Sequence, residues 1–477
     1  MIGLVFFSFL MHALGTAALP LIDRDEPYYA EISREMRERD NFIVPYYNNK
    51  EQFKKPPLIY WYQAVSCRLF GETDFATRLP SLIAAALTTL MIFGFGRRLY
   101  DPTTGCWAAL IFTLSFHVLL LARAAITDMV LIFFVTLAHW AGWELLALRE
   151  KHNSPDLTRT LWGWAFYLSL GFGFLTKGPV GWLPLGTLAL FAYARKENPL
   201  RILSGKGILL MLAVIGIWGI PAIFQTHGNY FKVFMYEEIF LRAIRPEYGH
   251  GAHALVSYLW TLPYYLVTLC LSFFPWSAFM PQVFFYFRKS EQRSLRETYL
   301  LNGVLLIFLI FTLARTKLPH YTLPAFPLLS LLFARYWHAL KNARRRLILC
   351  ALAGVLLNLS LAFVFFPVIT RALPVPLLAR QSAPWLKPDM AFASAGYQEP
   401  SLVWYFRKHV RSWHRFLKPD QMAAYMHQPG PRLLFLPTSL ALETFPEMGP
   451  GWKVFRARGI NPAKRNKVDF TVLIKPD

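Results

Sequence analysis

Charge is sparse in this sequence. Asp, Glu, Lys and Arg make up 16% of its 477 residues, against roughly a quarter in ordinary soluble domains. Acidic side chains are the scarcer kind, 28 Asp and Glu against 50 Lys and Arg, for a formal net charge of +22. Cysteine is rarer still. Cys67, Cys106, Cys270 and Cys350 are scattered, with no spacing that marks a disulfide framework or a zinc site. No repeat of solenoid period and no low-complexity tract is visible, which excludes repeat arrays and biased linkers. No cleavable signal peptide is evident, and the apolar run from Ile2 reads as a first membrane span.

What the chain has in excess is apolar surface. Hydrophobic residues reach 55%, aromatics 16%, and the mean hydropathy is +0.34. A soluble core cannot hide that much, so a multi-span membrane protein is expected. The net charge of +22 would suggest nucleic acid in a soluble protein. Here the Lys and Arg fall mostly in short loops between apolar runs, the pattern of cytoplasmic loops, and no nucleic-acid partner is expected.

Spans of about the bilayer length are predicted at 2–20, 78–96, 104–121, 125–147, 160–175, 178–194, 206–225, 257–286, 298–313, 319–336 and 346–368. The run 257–286 is long enough to tilt or break. Basic connections follow at Arg97 and Arg98, Arg149 to Arg159, Arg195 to Lys206, Arg288 to Arg296, and Lys341 to Arg346. The alternate connections, 21–77, 122–128, 176–179, 224–255 and 314–320, then lie on the opposite, outer face. This gives a cytoplasmic N-terminus, eleven spans and an outer C-terminus. After Arg371 the texture changes. Residues 390–396, 432–437 and 470–475 read as strands, and 401–409 and 420–427 as helices. The expected architecture is an all-α polytopic membrane domain over 1–370 and a small extracytoplasmic α/β domain over 371–477.

The polar motifs gather in the outer connections. The stretch 21–58 reads LIDRDEPYYAEISREMRERDNFIVPYYNNKEQFKKPPL. Pro27 favours a helix first turn, with Asp25 and Glu26 just before it. A carboxylate there is kept ionised by the helix end, which suits a general base or a partner for a cationic substrate, and equally a plain N-cap. Tyr29, Ile32 and Met36 form an apolar stripe, so a helix lying on the membrane surface is expected, with a second, aromatic one over 59–70. Prolines 56 and 57 hold Lys55 extended, so that Lys54 and Lys55 point to opposite sides. One of them can face a phosphate, or both can attract anionic lipid. Arg123 and Asp128 flank a turn between spans, where ionisable groups are functional by default or pair with one another; Lys177 in TKGP is open to the same two readings. Arg315, Lys317, His320 and Tyr321 in RTKLPHYT suit a lipid phosphate, or anchor the chain at the interface.

The segments DEPYYAEISREM, KKPPLIYW, ARAAITDM, FLTKGPVG and RTKLPHYTLP, in that order, resemble the aminoarabinose transferase and protein mannosyltransferase superfamily, GT-C glycosyltransferases that use polyprenyl-phosphate sugars. The resemblance covers about residues 1–340, and YQEPSLVWYF at 397–406 is similar to the outer domain of the aminoarabinose branch. It implies a catalytic or orienting role for Asp25, with Asp128 and Glu26 beside it, and donor-phosphate contacts from Lys55 and Tyr321, joined by Arg242, Arg245 and Lys317. Tyr28, Tyr29, Arg123 and Lys177 are the candidate substrate contacts. It further implies a polyprenyl (undecaprenyl) phosphate-linked sugar donor, a lipid or glycan acceptor such as lipid A, neighbouring membrane lipids, a monomer in the inner membrane with its site facing the periplasm, and no cofactor. No spaced DxD in the outer loops asks for a nucleotide sugar. Two departures stand out. The aminoarabinose branch commonly has Arg where this chain has Tyr28, and FEKPP where it has FKKPP. In the family pattern that Glu and a later His can hold zinc. With Lys54 in place of the Glu, no metal is expected, and a salt bridge from Lys54 to Glu237 or Glu238 takes its place. A protein O-mannosyltransferase is the alternative. A secondary transporter fits less well, because its ionisable groups would cluster at the bilayer midplane.

Overall fold

The computed structural model describes residues 1–151, 160–198, 203–241, 255–289, 294–338 and 343–476. The chain divides into two compact units: Met1–Leu14, Gln52–Ile59 and Leu79–Leu359 in the first, and Gly15–Glu51, Tyr60–Arg78 and Ser360–Asp477 in the second. Most of the 21–77 connection, assigned from sequence to the membrane domain, therefore packs with the C-terminal segment.

The first unit is helical. Among the described residues of the whole chain, five helices are long and apolar enough to cross a membrane: Asp74–Leu99, Asp128–Arg149, Gly205–Gln225, Leu295–Leu313 and Arg344–Ala372. A sixth arises if Tyr258–Ser272 and Trp276–Arg288, bent by 114°, form one broken span. The bend falls at Pro275, whose ring nitrogen cannot donate the hydrogen bond a continuous helix needs. Other expected spans are also interrupted. The 104–121 run splits into Pro102–Thr113 and Phe116–Leu121, and the Phe116 amide bonds to the carbonyl of Phe274 instead of its own helix. The 178–194 and 319–336 runs open as 3₁₀ turns, Gly178–Trp182 and Pro319–Ala325, each with a proline in its first turn. Composition shows apolarity but not these breaks.

Arg123 is a brace within this unit. Its guanidinium donates to the carbonyls of His12 (3.0 Å) and Met11 (2.8 Å) and to Asn358 Oδ1 (2.8 Å). The first helix, Ile2–Ala13, ends there, and its last carbonyls have no partner within the helix.

The second unit holds a five-stranded sheet. Its strands are β3 (Ala391–Ala395), β4 (Arg415–Leu417), β5 (Arg432–Pro437), β6 (Lys453–Asn461) and β7 (Asn466–Lys475), after a small hairpin of β1 (Tyr46–Tyr47) and β2 (Lys50–Glu51). The order is β4-β3-β5-β7-β6. β3 runs parallel to β4 and β5, and β7 antiparallel to β5 and β6. β5 is nearly all apolar because it is central, and Leu434 and Leu436 pack with Met422, Met426 and Leu473.

Helix Asp25–Glu38 does not lay its apolar stripe on a lipid surface, contrary to the expectation from sequence: Tyr29, Ile32 and Met36 are buried within the protein. Glu31, Arg34 and Glu35 are as buried as Ile32 and Met36. The reason is a set of ion pairs within the unit. Arg34 donates to Glu31 (2.7 Å) and Glu72 (2.9 Å) and stacks on Trp404 at 4.0 Å. Arg407 reaches Glu31, and Glu38 at 2.7 Å. Burial, reinforced by neighbouring Glu31, pushes the Glu35 carboxyl up to about 7. The helix Leu58–Phe70, in contrast, leaves Tyr62, Val65, Leu69 and Phe70 exposed, an apolar stripe at the spacing a helix at a lipid interface requires.

Arg407→Ala tests this network. It leaves Glu31 buried with one cation fewer, and breaking a buried pair on one side costs about 3–5 kcal/mol. We expect that loss in chemical denaturation of the detergent-solubilised protein; a loss under about 1 kcal/mol would show that Arg34 alone neutralises the helix.

Candidate active site

Ionisable residues from several connections meet, within the first unit, around a cavity of about 520 Å³. Lys55, Asp128, Lys177, Glu238, His320 and Tyr321 supply its polar lining, and Leu131, Val180, Leu183, Phe234, Ile310 and Phe311 lie among its apolar wall. Each polar group is delivered by a distinct local device. Lys55 lies on the short stretch before Pro56 and Pro57, and its carbonyl accepts from the Tyr230 hydroxyl while Phe53 packs on the Tyr230 ring at 5.2 Å. Asp128 opens the helix Asp128–Lys151, where a carboxylate is favoured by the positive helix end. Lys177 closes the helix Leu161–Lys177, where a cation is favoured by the opposite end.

Gly178 makes that ending possible. Its φ of +68° is left-handed, and a Cβ there would stand 2.7 Å from Phe234 Cζ. Lys177 donates to Asp128 at 2.8 Å and lies 5.5 Å above the Tyr321 ring. Lys55 faces Glu238 at 3.9 Å. The cavity thus combines two ammoniums, two carboxylates, a phenol and an imidazole with a wall of hydrocarbon. That combination suits an amphiphile with an anionic head and an apolar tail.

The structure gathers Lys55, Asp128, Lys177 and Tyr321 from the sequence candidates and places others elsewhere. Arg123 is taken up by the carbonyls of Met11 and His12 and by Asn358, and it does not line the cavity. Lys317, expected at a phosphate, donates to the carbonyls of Thr312 and Ala314 and so caps the helix Leu295–Leu313; burial pulls its pKa down. Neither placement is visible in sequence, because a basic residue at a span end serves equally to cap carbonyls or to face a ligand. Arg242 and Arg245 lie outside the described residues. The ion pair to Glu238 comes from Lys55 rather than Lys54, one position from the expectation. Side chains alternate in an extended stretch, so the sequence cannot say which of the two lysines turns inward. Among the described residues, no group of three His, Cys, Asp or Glu is placed to hold a metal ion.

The remaining candidates belong to the second unit. Asp25 is exposed in the first turn of its helix. Glu26, proposed beside it as catalytic, is committed to structure: it accepts from the Ile22 amide and from buried Arg78 at 2.8 and 2.7 Å. Arg78 in turn holds the carbonyls of Thr16, Leu19 and Pro20. Tyr28 lies partly exposed on Tyr47 at 4.7 Å, whereas the Tyr29 ring is buried against Tyr60. Asp23 escaped the sequence reading. It accepts from the amide and the hydroxyl of Ser401, at the start of the helix Pro400–Phe406, and burial pushes its carboxyl up to about 7. Only its place two residues before Asp25 hinted at this role. His320, grouped in sequence with Tyr321 at a lipid phosphate or the interface, lines the cavity, as does Glu238, expected as the partner of Lys54.

Residues 54–223 match the model of the dolichyl-phosphate-mannose-protein mannosyltransferase family. An uncharacterised protein of Aquifex aeolicus is 30% identical over 70% of this chain and 72% of its own length. The undecaprenyl phosphate-alpha-4-amino-4-deoxy-L-arabinose arabinosyl transferase of Pseudomonas aeruginosa is 32% identical over 71% of this chain, and that of Edwardsiella ictaluri 31% identical over 65%. The chain spans 59% and 54% of the length of these two transferases. The crystal structure of ArnT from Cupriavidus metallidurans bound to undecaprenyl phosphate superposes with a TM-score of 0.77 at 18% identity, over 99% of this chain and 97% of that one. The Archaeoglobus fulgidus oligosaccharyltransferase follows at 0.53 and 12%, over 95% of this chain and 69% of that one. These likenesses show the fold.

Proposed function

Since the chain belongs to the aminoarabinose transferase and protein mannosyltransferase superfamily of GT-C glycosyltransferases, we propose that it moves a sugar from a polyprenyl-phosphate donor to an acceptor outside the cytoplasmic membrane, lipid A or another envelope glycolipid. The observation that carries this reading is the cavity in which Lys55, Lys177 and Tyr321 stand beside an apolar wall. It has the chemistry to take a lipid phosphate by its head and the first part of its chain.

In this reading the acceptor oxygen attacks the anomeric carbon and the bond from that carbon to the phosphate oxygen breaks, with inversion. The electron pair leaves with polyprenyl phosphate, and Lys55 and Tyr321 stabilise the charge that grows on its oxygens. Arg242 and Arg245 remain candidates for the same task. For a hydroxyl acceptor Asp25 takes the proton as general base; for a phosphate acceptor, already ionised, it orients the acceptor or a sugar amine. Asp128 and Lys177 brace the cavity wall between two helices. The alternation of basic loops supports a cytoplasmic N-terminus, eleven spans and a site facing the periplasm. A second reading, transfer to protein, is favoured by the match of residues 54–223 to the protein mannosyltransferase model.

Mass spectrometry of envelope lipids and glycoproteins from cells with and without the protein separates the two. We expect one sugar-sized mass increment on a lipid, restored by the wild type and not by Asp25→Asn. An increment on proteins instead selects the second reading, and no change in either fraction contradicts both.

A further inference from the structure

The cavity is balanced in charge before any donor enters: among its described lining, Lys55 and Lys177 stand against Asp128 and Glu238. The two pairs differ in tightness. Asp128 and Lys177 are hydrogen-bonded at 2.8 Å, while Lys55 and Glu238 stop at 3.9 Å, beyond hydrogen-bond length but well inside Coulombic range. Glu238 is carried by the helix Lys232–Leu241 and has a side chain 9% exposed. Its carboxylate therefore stands beside the ammonium that the proposed function assigns to the lipid phosphate, in a setting poor in water to screen it.

We propose that Glu238 is a specificity-determining counter-charge: it keeps Lys55 neutralised in the empty site and weakens retention of the spent polyprenyl phosphate relative to the sugar-bearing donor. This rests on the reading of Lys55 as a phosphate ligand. The donor is a phosphodiester with one negative charge, and the leaving lipid is a monoester with a charge of about −2 at neutral pH. Next to Glu238 the monoester meets more repulsion than the diester, although both are attracted by Lys55. The product, which would otherwise bind Lys55 the more tightly of the two, is released more readily. In this chain Glu238 does so from the helix Lys232–Leu241, in the region to which the expected lysine–glutamate bridge was assigned.

The test uses the full-length protein in nanodiscs. Affinities are measured for undecaprenyl phosphate and for a polyprenyl phosphodiester, with wild type, Glu238→Gln, Glu238→Ala, Glu238→Asp and Lys55→Ala. We expect both neutral variants to bind the monoester about tenfold more tightly, equivalent to ~1.4 kcal/mol, with a smaller gain for the diester. Glu238→Asp should keep the wild-type ratio of the two affinities, and steady-state turnover of the neutral variants should become more sensitive to inhibition by added undecaprenyl phosphate. Unchanged or weaker monoester binding in the neutral variants, while Lys55→Ala loses binding, overturns the role of Glu238 alone. Unchanged binding in Lys55→Ala overturns the reading of the phosphate site on which it rests.

Discussion

Replacing Lys55 by Ala is expected to lower sugar transfer by about a hundredfold or more, the effect of deleting one preorganised donor to a developing anion in a water-poor site. The substitution removes the ammonium only. The backbone at this position keeps its bond from the Tyr230 hydroxyl, and Pro56 and Pro57 keep the stretch extended, so the fold should survive. Lys55→Arg should recover part of the activity, since the charge returns on a longer, planar group that reaches a different point. Radiolabelled or mass-resolved transfer from a purified polyprenyl-phosphate sugar measures it. A loss of under fivefold would remove Lys55 from the phosphate site.

Lys177→Met has a different signature. Asp128 is 4% exposed and faces Lys177 at 2.8 Å. Taking away only the cation leaves a buried carboxylate with its nearest partner gone, at a cost of about 3–5 kcal/mol. The result should be a protein that denatures well before the wild type and has little activity. Adding Asp128→Asn removes the stranded charge, so the double variant should regain most of the stability. If the pair only braces the wall between its two helices, activity returns with stability; if Lys177 also touches the donor, activity stays low in a stable protein. A double variant no more stable than Lys177→Met would contradict the pairing itself.

The parts of the fold that sequence patterns reveal are those in which burial and composition agree. Strand Arg432–Pro437 coincides with the expected 432–437, because RLLFLP is an apolar run between Pro431 and Thr438 and is buried in the sheet centre. Strand Arg415–Leu417 went unseen: it is three residues at an edge, and two of them are exposed. Lys453–Asn461 also escaped, since Lys453, Arg456 and Arg458 give it the look of a solvated loop. Lys55, Asp128, Lys177 and Tyr321 drew attention because charged or phenolic groups between apolar runs stand out in sequence, and the structure places all four on one cavity. Arg123, Lys317 and Glu26 obeyed the same rule and yet serve as caps and braces. What separates the two sets is which way each side chain leaves its turn. For Arg78 and Arg123 that depends on carbonyls near the start of the chain, Thr16 and His12, 62 and 111 residues away in sequence, which a local pattern does not carry.

Whether the cavity lined by Lys55, Lys177 and Tyr321 receives the phosphate of a polyprenyl lipid is decided by a cryo-EM structure of the protein with undecaprenyl phosphate in a nanodisc. Phosphate oxygens are expected within about 3.2 Å of Lys55 Nζ and of the Tyr321 hydroxyl, with the first isoprene units against Phe234, Ile310 and Phe311. Phosphate density outside this cavity, with Lys55 still facing Glu238, would contradict that placement.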